Sequence, residues 1–483
     1  MNLCNINHSF NYELEKLCRI FLPYEKIAVK NEIIKDDIYA VCSVENRACS
    51  AYLNFFGKEF EEKLTSPDDT DKEKELTLAT CLFGCFVSAT GYKSEWGLLT
   101  GVRPAKLFSR LIKNNGEEKA EDYFKNRLLV SGEKTSLCKE TAVSEEKIID
   151  QSRPESFSLY ISIPFCPSRC SYCSFVSHSV DKAGKLIDEY CRLLCREIEA
   201  TGKIARDEKL RLETVYIGGG TPVAVSAEQI SQIMNSIKEH FDLSYVLEYT
   251  VEAGRPDAID KAKLEAIKNG GATRISVNPQ TMNDAVLKEI GRNHTAEQTI
   301  KAFRLAREVG FTDINMDLIA GLPTDTFESF KNTLDILTNL DPESITVHSL
   351  SVKRASNISR ENTLPELETG KIASDMVRYA RKTLSEKGIK PYYMYRQSKT
   401  VGNLENVGYA KAGFEGLYNV YIMDETHTIL ACGASAVTKL REPHGDFIER
   451  IFNFKYPYEY ISRFDEIIAR KQGIKDFYNK YNL

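Results

Sequence analysis

The 483-residue sequence contains no apolar run approaching the roughly 18 residues that a membrane-crossing helix needs. Its opening, MNLCNINHSFNYELEKLC, has no basic start followed by an apolar stretch, so no targeting segment is expected. It has no basic surplus: 64 Lys and Arg against 69 Asp and Glu leave a net charge of −5, and nucleic acid is not the expected partner. There is no repeat of short fixed period and no low-complexity tract. A disulfide framework is also disfavoured, because the thirteen cysteines are odd in number and scattered over a long chain. A cytoplasmic protein with mostly reduced, buried thiols and no membrane span is expected. What is present, 42% hydrophobic and 28% charged residues, suffices for a large core. The length suggests two to four units at roughly 150 residues each.

Three regions differ in texture. Residues 1–155 mix a strand-like run at 38–41 with a helical one at 76–87. The charge-dense stretch 59–75 reads as a solvated helix and loop. Gly101-Val102-Arg103-Pro104 reads as a turn into a helix starting near Ala105, and the polar stretch 139–156 as a linker. In residues 156–352, strand candidates at 159–163, 214–217, 249–252, 274–277, 313–319 and 344–350 alternate with helical segments near 181–202, 226–240, 257–269, 283–309 and 325–340. Ser226 and Gln229 form a capping box, and Ile230, Ile233, Met234 and Ile237 then mark one helix face. Six such units imply a parallel sheet with right-handed crossovers. The expected fold is α/β, a partial (β/α)6 TIM-like barrel with an additional N-terminal α+β region and a C-terminal α+β region at residues 353–483. The last region carries strand-like pieces at 417–423 and 428–431.

The first barrel strand runs into YISIPFCPSRCSYCSF, which places Cys166, Cys170 and Cys173 at spacing C-x3-C-x2-C. So tight a loop cannot pair all three as disulfides, but it can wrap three thiolates around one face of an iron–sulfur cube. The fourth iron then lacks a protein ligand and is open to a small molecule. Pro164 and Pro167 keep the segment out of helix. A zinc site would want a fourth Cys or His at short spacing, and the offset of His178 fits no usual zinc pattern. Cys191 and Cys195, like Cys81 and Cys85, stand four apart on helical segments and read as core.

Further chemistry gathers at later strand ends, where open parallel sheets bind ligands. Gly218-Gly219-Gly220-Thr221-Pro222 ends the second strand and lets a ligand approach the backbone closely. Glu252 ends the third strand, Gln280 follows the fourth, Arg292 lies past the next helical stretch, and Asp317 lies in the fifth strand. Together they form a polar mouth. His348 in the sixth strand reads equally as a hydrogen-bonded core histidine or a substrate contact, and Arg396 as a surface charge or a partner for a carboxylate.

The cysteine motif, GGGTP and NMDLIAGLP resemble the oxygen-independent coproporphyrinogen III oxidase family of radical S-adenosylmethionine (SAM) proteins. GVRP, HSLSVKRAS, MYRQ and GNLENVGYAK resemble its HemZ branch. The resemblance spans most of the chain and makes residues 156–352 the radical SAM core and residues 353–483 a cover for substrate; it leaves residues 1–155 without a role. It implies that Cys166, Cys170 and Cys173 bind a 4Fe–4S cluster and that Tyr160, Gly219 and Glu252 contact the SAM on its open iron. Tyr172, Gly220, Thr221, Gln280, Arg292 and Asp317 match positions that surround a second SAM in the oxidase. No catalytic residue is assigned. The implied activity is oxidative decarboxylation of coproporphyrinogen III to protoporphyrinogen IX in haem biosynthesis, with a flavodoxin or ferredoxin as electron donor. The alternatives are a haem-binding chaperone and a different radical reaction on a tetrapyrrole. The chain departs from the oxidase pattern at Ser174 and Phe175, where the oxidase has Gly and Cys, and at Ser162, where it has His. Relatives that handle haem share the C-x-F ending.

Overall fold

A computed structural model describes residues 1–173, 175, 177–351 and 364–481. Ser174 and residues 352–356 of the HSLSVKRAS segment lie outside the described residues. The chain divides into two compact units. The first comprises Met1–Lys139 with the described residues of Ser359–Ser374 and Tyr395–Glu405; the second comprises those of Glu140–Ile358, Asp375–Met394 and Asn406–Leu483.

In the first unit, strands β1 (Asn2–Ile6), β2 (Ala28–Lys30), β3 (Ile38–Glu45), β4 (Ala48–Phe55) and β5 (Lys58–Thr65) form a sheet of order β2-β1-β3-β4-β5. Helices Asn11–Phe21 and Asp71–Thr90 bury Leu14, Leu78 and Phe86 in one core with Leu3 and Leu53 of the strands. The expected solvated helix and loop at 59–75 is corrected here. Its first part is β5, an edge strand that pairs along its whole length with β4. Its charges hide the strand pattern and also blunt the free edge. The expected linker at 139–156 is corrected as well. Residues up to Ile149 are helix, Gly132–Ile149, with Thr141, Ala142, Glu145 and Ile148 buried at helical spacing.

The second unit is built on a large sheet that includes β6 (Ser156–Ile163), β9 (Arg211–Gly219), β10 (Glu248–Gly254), β11 (Arg274–Val277), β12 (Ile314–Ala320) and β13 (Ser344–Ser349). A short separate pair, β7 (Phe165–Cys166) and β8 (His178–Ser179), follows β6 in the chain. The later strands β14 (Lys390–Arg396), β15 (Glu405–Ala410), β16 (Thr428–Cys432), β17 (Val437–Arg441) and β18 (Ile448–Phe452) join the same sheet. Its order is β14-β15-β13-β12-β11-β10-β9-β6-β16-β17-β18. The six consecutive strands β6, β9, β10, β11, β12 and β13 are all parallel, and each coincides with an expected strand. They are buried on both faces, as crossover helices require. The barrel stays partial because β13 meets antiparallel β15 on one side and β6 meets parallel β16 on the other. Ser226 and Gln229 make the expected capping box, and the face of Ile230, Ile233, Met234 and Ile237 is buried.

Two expectations fail locally. The helical stretch 283–309 is two helices, Asp284–Glu289 and Ala296–Val309, separated by a turn that carries Arg292. The strand-like 417–423 is a helix, Leu417–Asp424. Its free N-terminal amides are taken by Glu248 of β10, whose carboxylate accepts from Leu417 N at 2.6 Å and Tyr418 N at 3.4 Å. Tertiary capping overrides the β-rich composition.

The turn after β16 is tied to the end of β6 by buried polar groups. Glu197 pairs with Lys471 at 2.9 Å and accepts from Gly433 N, Asn453 Nδ2 and Tyr460 Oη at 2.7–2.8 Å. Tyr190 Oη accepts from Ala434 N and donates to Ser162 O, each at 2.8 Å.

Candidate functional site

The site grows from the C-terminal ends of the parallel strands. β6 stops at Pro164, whose carbonyl accepts from His178 N at 2.9 Å, and Phe165–Cys166 pairs with His178–Ser179. The cysteine loop is therefore closed at its base. Its far side is fastened to the turn between helices Asp284–Glu289 and Ala296–Val309: Ser171 N donates to Ile290 O at 3.0 Å and Ser168 Oγ to Gly291 O at 3.3 Å. Cys170 is buried, and Cys166 and Cys173 are half-buried. Thr221 Oγ1 lies 3.5 Å from Cys166 Sγ, and Arg255 Nη1 lies 3.6 Å from Cys170 Sγ. Among the described residues no three His, Cys, Asp or Glu side chains gather closely enough for a single metal ion. A cube does not demand that, since each thiolate takes a different iron.

The glycine turn abuts this loop. Gly219 has φ +108, and Gly220 N and Thr221 N donate to Ile163 O at 2.9 Å and Phe165 O at 2.7 Å. A Cβ on Gly220 would stand 2.6 Å from Phe165 O and 3.0 Å from Cys166 Sγ, so no side chain fits beside that thiol. The site thus offers a three-thiol loop, a guanidinium 3.6 Å from one of its sulfurs, and a cradle that any side chain would fill. The donor set fits an iron–sulfur cluster. Gly220→Ala is expected to lower iron content per chain sharply while shifting Tm only a few degrees, because the cheaper adjustment is to move the loop. Iron analysis beside a thermal melt checks this.

The polar mouth assembles as the strand order implies. Tyr160 stacks with Tyr216 at 6.2 Å and Tyr418 at 6.3 Å between ring centroids, and Tyr216 with Tyr418 at 4.4 Å. Tyr216 Oη donates to Glu252. Arg292, buried, donates to Tyr172 Oη at 3.0 and 3.2 Å and to Asn278 O at 2.7 Å. Gln280 adopts φ +67 and is locked to β12 through Asp317 O at 2.9 Å; its side-chain oxygen is buried without a hydrogen bond, as is that of Asn278. Asp317 accepts from Asn315 Nδ2 at 2.7 Å and lies 3.8 Å from His348 Nε2. Burial works against the Asp317 charge, but His348, Asn315 and Thr346 hold the carboxyl below its usual range.

Three contributors escaped the sequence reading. Arg255 grips Asp257 with two bonds at 2.7–2.8 Å and reaches Cys170 and Ser168. Its only sequence signal is its place directly after the third strand. Tyr216 alternates within a hydrophobic run, and Tyr418 lies on the misread helix. Arg396, by contrast, is corrected: it is buried in the first unit, donating to the carbonyls of Leu99, Gly101 and Asn403 with its guanidinium 5.0 Å from the Trp96 ring. It has no surface or ligand-facing position.

Glu252 responds to this enclosure. Burial pushes its carboxyl up to about 7, with Asp317 adding and the Tyr216 hydroxyl and His348 opposing. A folded value above the ordinary 4.5 means the unfolded chain ionises first, so stability is lost as pH rises between these values. Glu252→Gln is therefore expected to raise Tm at pH 8 and to leave it nearly unchanged at pH 4. Melts at both values check this; an equal shift at both would mean packing, not charge.

Residues 160–337 match the Radical SAM superfamily. Over 422 residues, covering 86% of this chain and 84% of the relative, the sequence is 36% identical to the oxygen-independent coproporphyrinogen-III oxidase-like protein HemZ of Bacillus subtilis (strain 168). The chain is a radical SAM protein of the HemZ family. Membership implies a 4Fe–4S cluster and SAM as cofactors. Other relatives of this radical SAM protein are named differently: the heme chaperone HemW of the same organism is 33% identical over 285 residues, 57% of this chain and 70% of HemW. Coproporphyrinogen III oxidase (HemN) from Escherichia coli, described as a radical SAM enzyme, shares the fold with a TM-score of 0.50 at 24% identity, over 68% of this chain and 73% of that one. Among the described residues no helix is long and apolar enough to cross a membrane.

Proposed function

We propose that this protein catalyses the oxygen-independent oxidative decarboxylation of coproporphyrinogen III to protoporphyrinogen IX. The observation that carries the reading is the meeting, at one end of the sheet, of the three-thiol loop, the Gly219–Gly220 turn and Glu252. Cys166, Cys170 and Cys173 would hold one 4Fe–4S cluster, and Tyr160, Gly219 and Glu252 the SAM beside it. When bound, this pair supplies one-electron cleavage of SAM and a carbon radical able to take a hydrogen atom from the substrate.

The chain's own residues bind, orient and exclude water. Arg255 and Thr221 steady the thiolates of Cys170 and Cys166. The stacked Tyr160, Tyr216 and Tyr418 form a flat wall beside Glu252. As a carboxylate, Glu252 would pair with the amino group of SAM, so SAM affinity should rise as pH passes through about 7. Tyr172, Gly220, Thr221, Gln280, Arg292 and Asp317 would bound a second SAM. Each reacting propionate loses a hydrogen atom, carbon dioxide and one electron to become a vinyl group, the electron passing to an acceptor. A flavodoxin or ferredoxin would reduce the cluster.

A haem chaperone is the second reading. It is favoured by Phe175, which stands 68% exposed where the oxidase has a cysteine, and by the likeness to HemW. Anaerobic incubation of reconstituted protein with SAM, a reductant, an electron acceptor and coproporphyrinogen III separates the two. Protoporphyrinogen IX is the expected product. Stoichiometric haem binding without turnover would overturn the oxidase reading in favour of the chaperone.

A further inference from the structure

At the end of the second unit's sheet opposite the cysteine loop, a cleft of about 400 Å³ opens between the starts of β6 and β9 and the loop after helix Ala227–His240. Ser156 faces Arg211 at this end of the register, and Ile163 faces Gly219 at the other. Eight residues of strand, roughly 26 Å at about 3.3 Å each, separate the cleft from the thiols.

The cleft's charge runs against that of the chain. Arg153, Arg206, Lys209 and Arg211 line it against two carboxylates, Glu155 and Asp242, while the whole sequence carries −5. Of these cations, Arg206 already donates to the His240 carbonyl and Arg211 is ion-paired with buried Glu213, which leaves the exposed Arg153 and Lys209 for a ligand. Arg153 comes no nearer than 4.0 Å to Glu155 and is 59% exposed. The Arg211 guanidinium lies 4.6 Å from the Tyr245 ring, and its enclosed Nε lacks a hydrogen bond although Glu213 Oε1 is 3.1 Å away. Lys209 is exposed and holds φ +54, directly after a helix end where glycine or asparagine is the unstrained choice. Tyr245, half exposed, adds a flat wall.

We propose that this cleft is a second ligand site, distinct from the cysteine-loop mouth, for a small molecule with at least two phosphate or carboxylate groups. Its volume lies within the range of about 300–1,000 Å³ usual for small-molecule sites, and two exposed cations backed by Arg206 and Arg211 suit a polyanion. Such groups could come from a phosphate ester or from a propionate-bearing tetrapyrrole, and the test distinguishes them.

Calorimetric titration of the whole protein with inorganic pyrophosphate, ADP and coproporphyrin III, at low and high salt, is the experiment. It is repeated on the double variant Arg153→Gln, Lys209→Gln, in which both side chains are exposed and neither substitution opens a core. Saturable binding of at least one probe is expected, weakened by salt and weakened about tenfold or more in the variant at unchanged Tm. If only pyrophosphate or ADP behaves so, the ligand is a phosphate ester; if only coproporphyrin III does, it is a carboxylated tetrapyrrole. Absence of binding by all three at about 1 mM in low salt, or equal affinity in the variant, overturns the proposal.

Discussion

Replacing any one of Cys166, Cys170 or Cys173 with Ala is expected to abolish the brown absorbance near about 400 nm that thiolate-ligated iron–sulfur clusters show, and with it every SAM-dependent activity. The effect should be complete because the three thiols are not interchangeable with neighbours. Cys191 is buried on helix Ile187–Asp207 and Cys432 on β16, both outside the cysteine loop. The loop that carries the ligands is fixed at both ends, by His178 N on Pro164 O and by Ser171 N on Ile290 O, so no other cysteine can slide into reach. The loss should come without unfolding, since Cys166 and Cys173 are half-buried and Cys170, though buried, sits in the loop and not on a barrel strand. Reconstitution followed by absorbance, iron analysis and a thermal melt reads all three quantities. Full absorbance in each single variant would mean that the cluster lies elsewhere.

The second large effect is on stability. Lys471→Met is expected to cost about 3–5 kcal/mol, because it leaves Glu197 charged and buried without its counter-ion. Three neutral donors, Gly433 N, Asn453 Nδ2 and Tyr460 Oη, still face the carboxylate and set the loss toward the lower end. The double variant Glu197→Gln, Lys471→Met removes the stranded charge and should recover much of the loss. Chemical denaturation of both variants measures the difference. If the double variant were no more stable than the single one, lost packing and not the stranded charge would be the cause. The pair matters beyond stability. Gly433 and Ala434 hang from Glu197 and Tyr190, and Tyr190 also bonds Ser162 and lies edge-on to Phe165, the residue before Cys166. The strand that closes one side of the partial barrel is thus built into the support of the cysteine loop.

The barrel was readable because its signals are local and repeated. Runs such as Ser156–Ile163 are buried on both faces, and two of the helices between strands start at capping boxes, Ser226/Gln229 and Thr295/Gln298, and show one buried stripe. The cysteine loop was readable because ligand spacing within eight residues needs no tertiary information. What escaped depends on partners distant in sequence. Residues 417–423 look like a strand until Glu248, some 170 residues earlier, caps them as a helix. β5 looks like a charged loop until β4 pairs with it. Arg255 has no motif, and only the fold brings it to Cys170. Arg396 looked available to a ligand, but carbonyls of the first unit already occupy it.

The most direct test of the account is the release of 5′-deoxyadenosine when the reconstituted, anaerobically reduced protein is given SAM. The wild-type chain is predicted to produce it together with methionine, and the variant lacking Cys166, Cys170 and Cys173 to produce none. A wild-type protein that holds its cluster and yet leaves SAM intact, with or without a tetrapyrrole, would contradict the assignment of this site to radical chemistry.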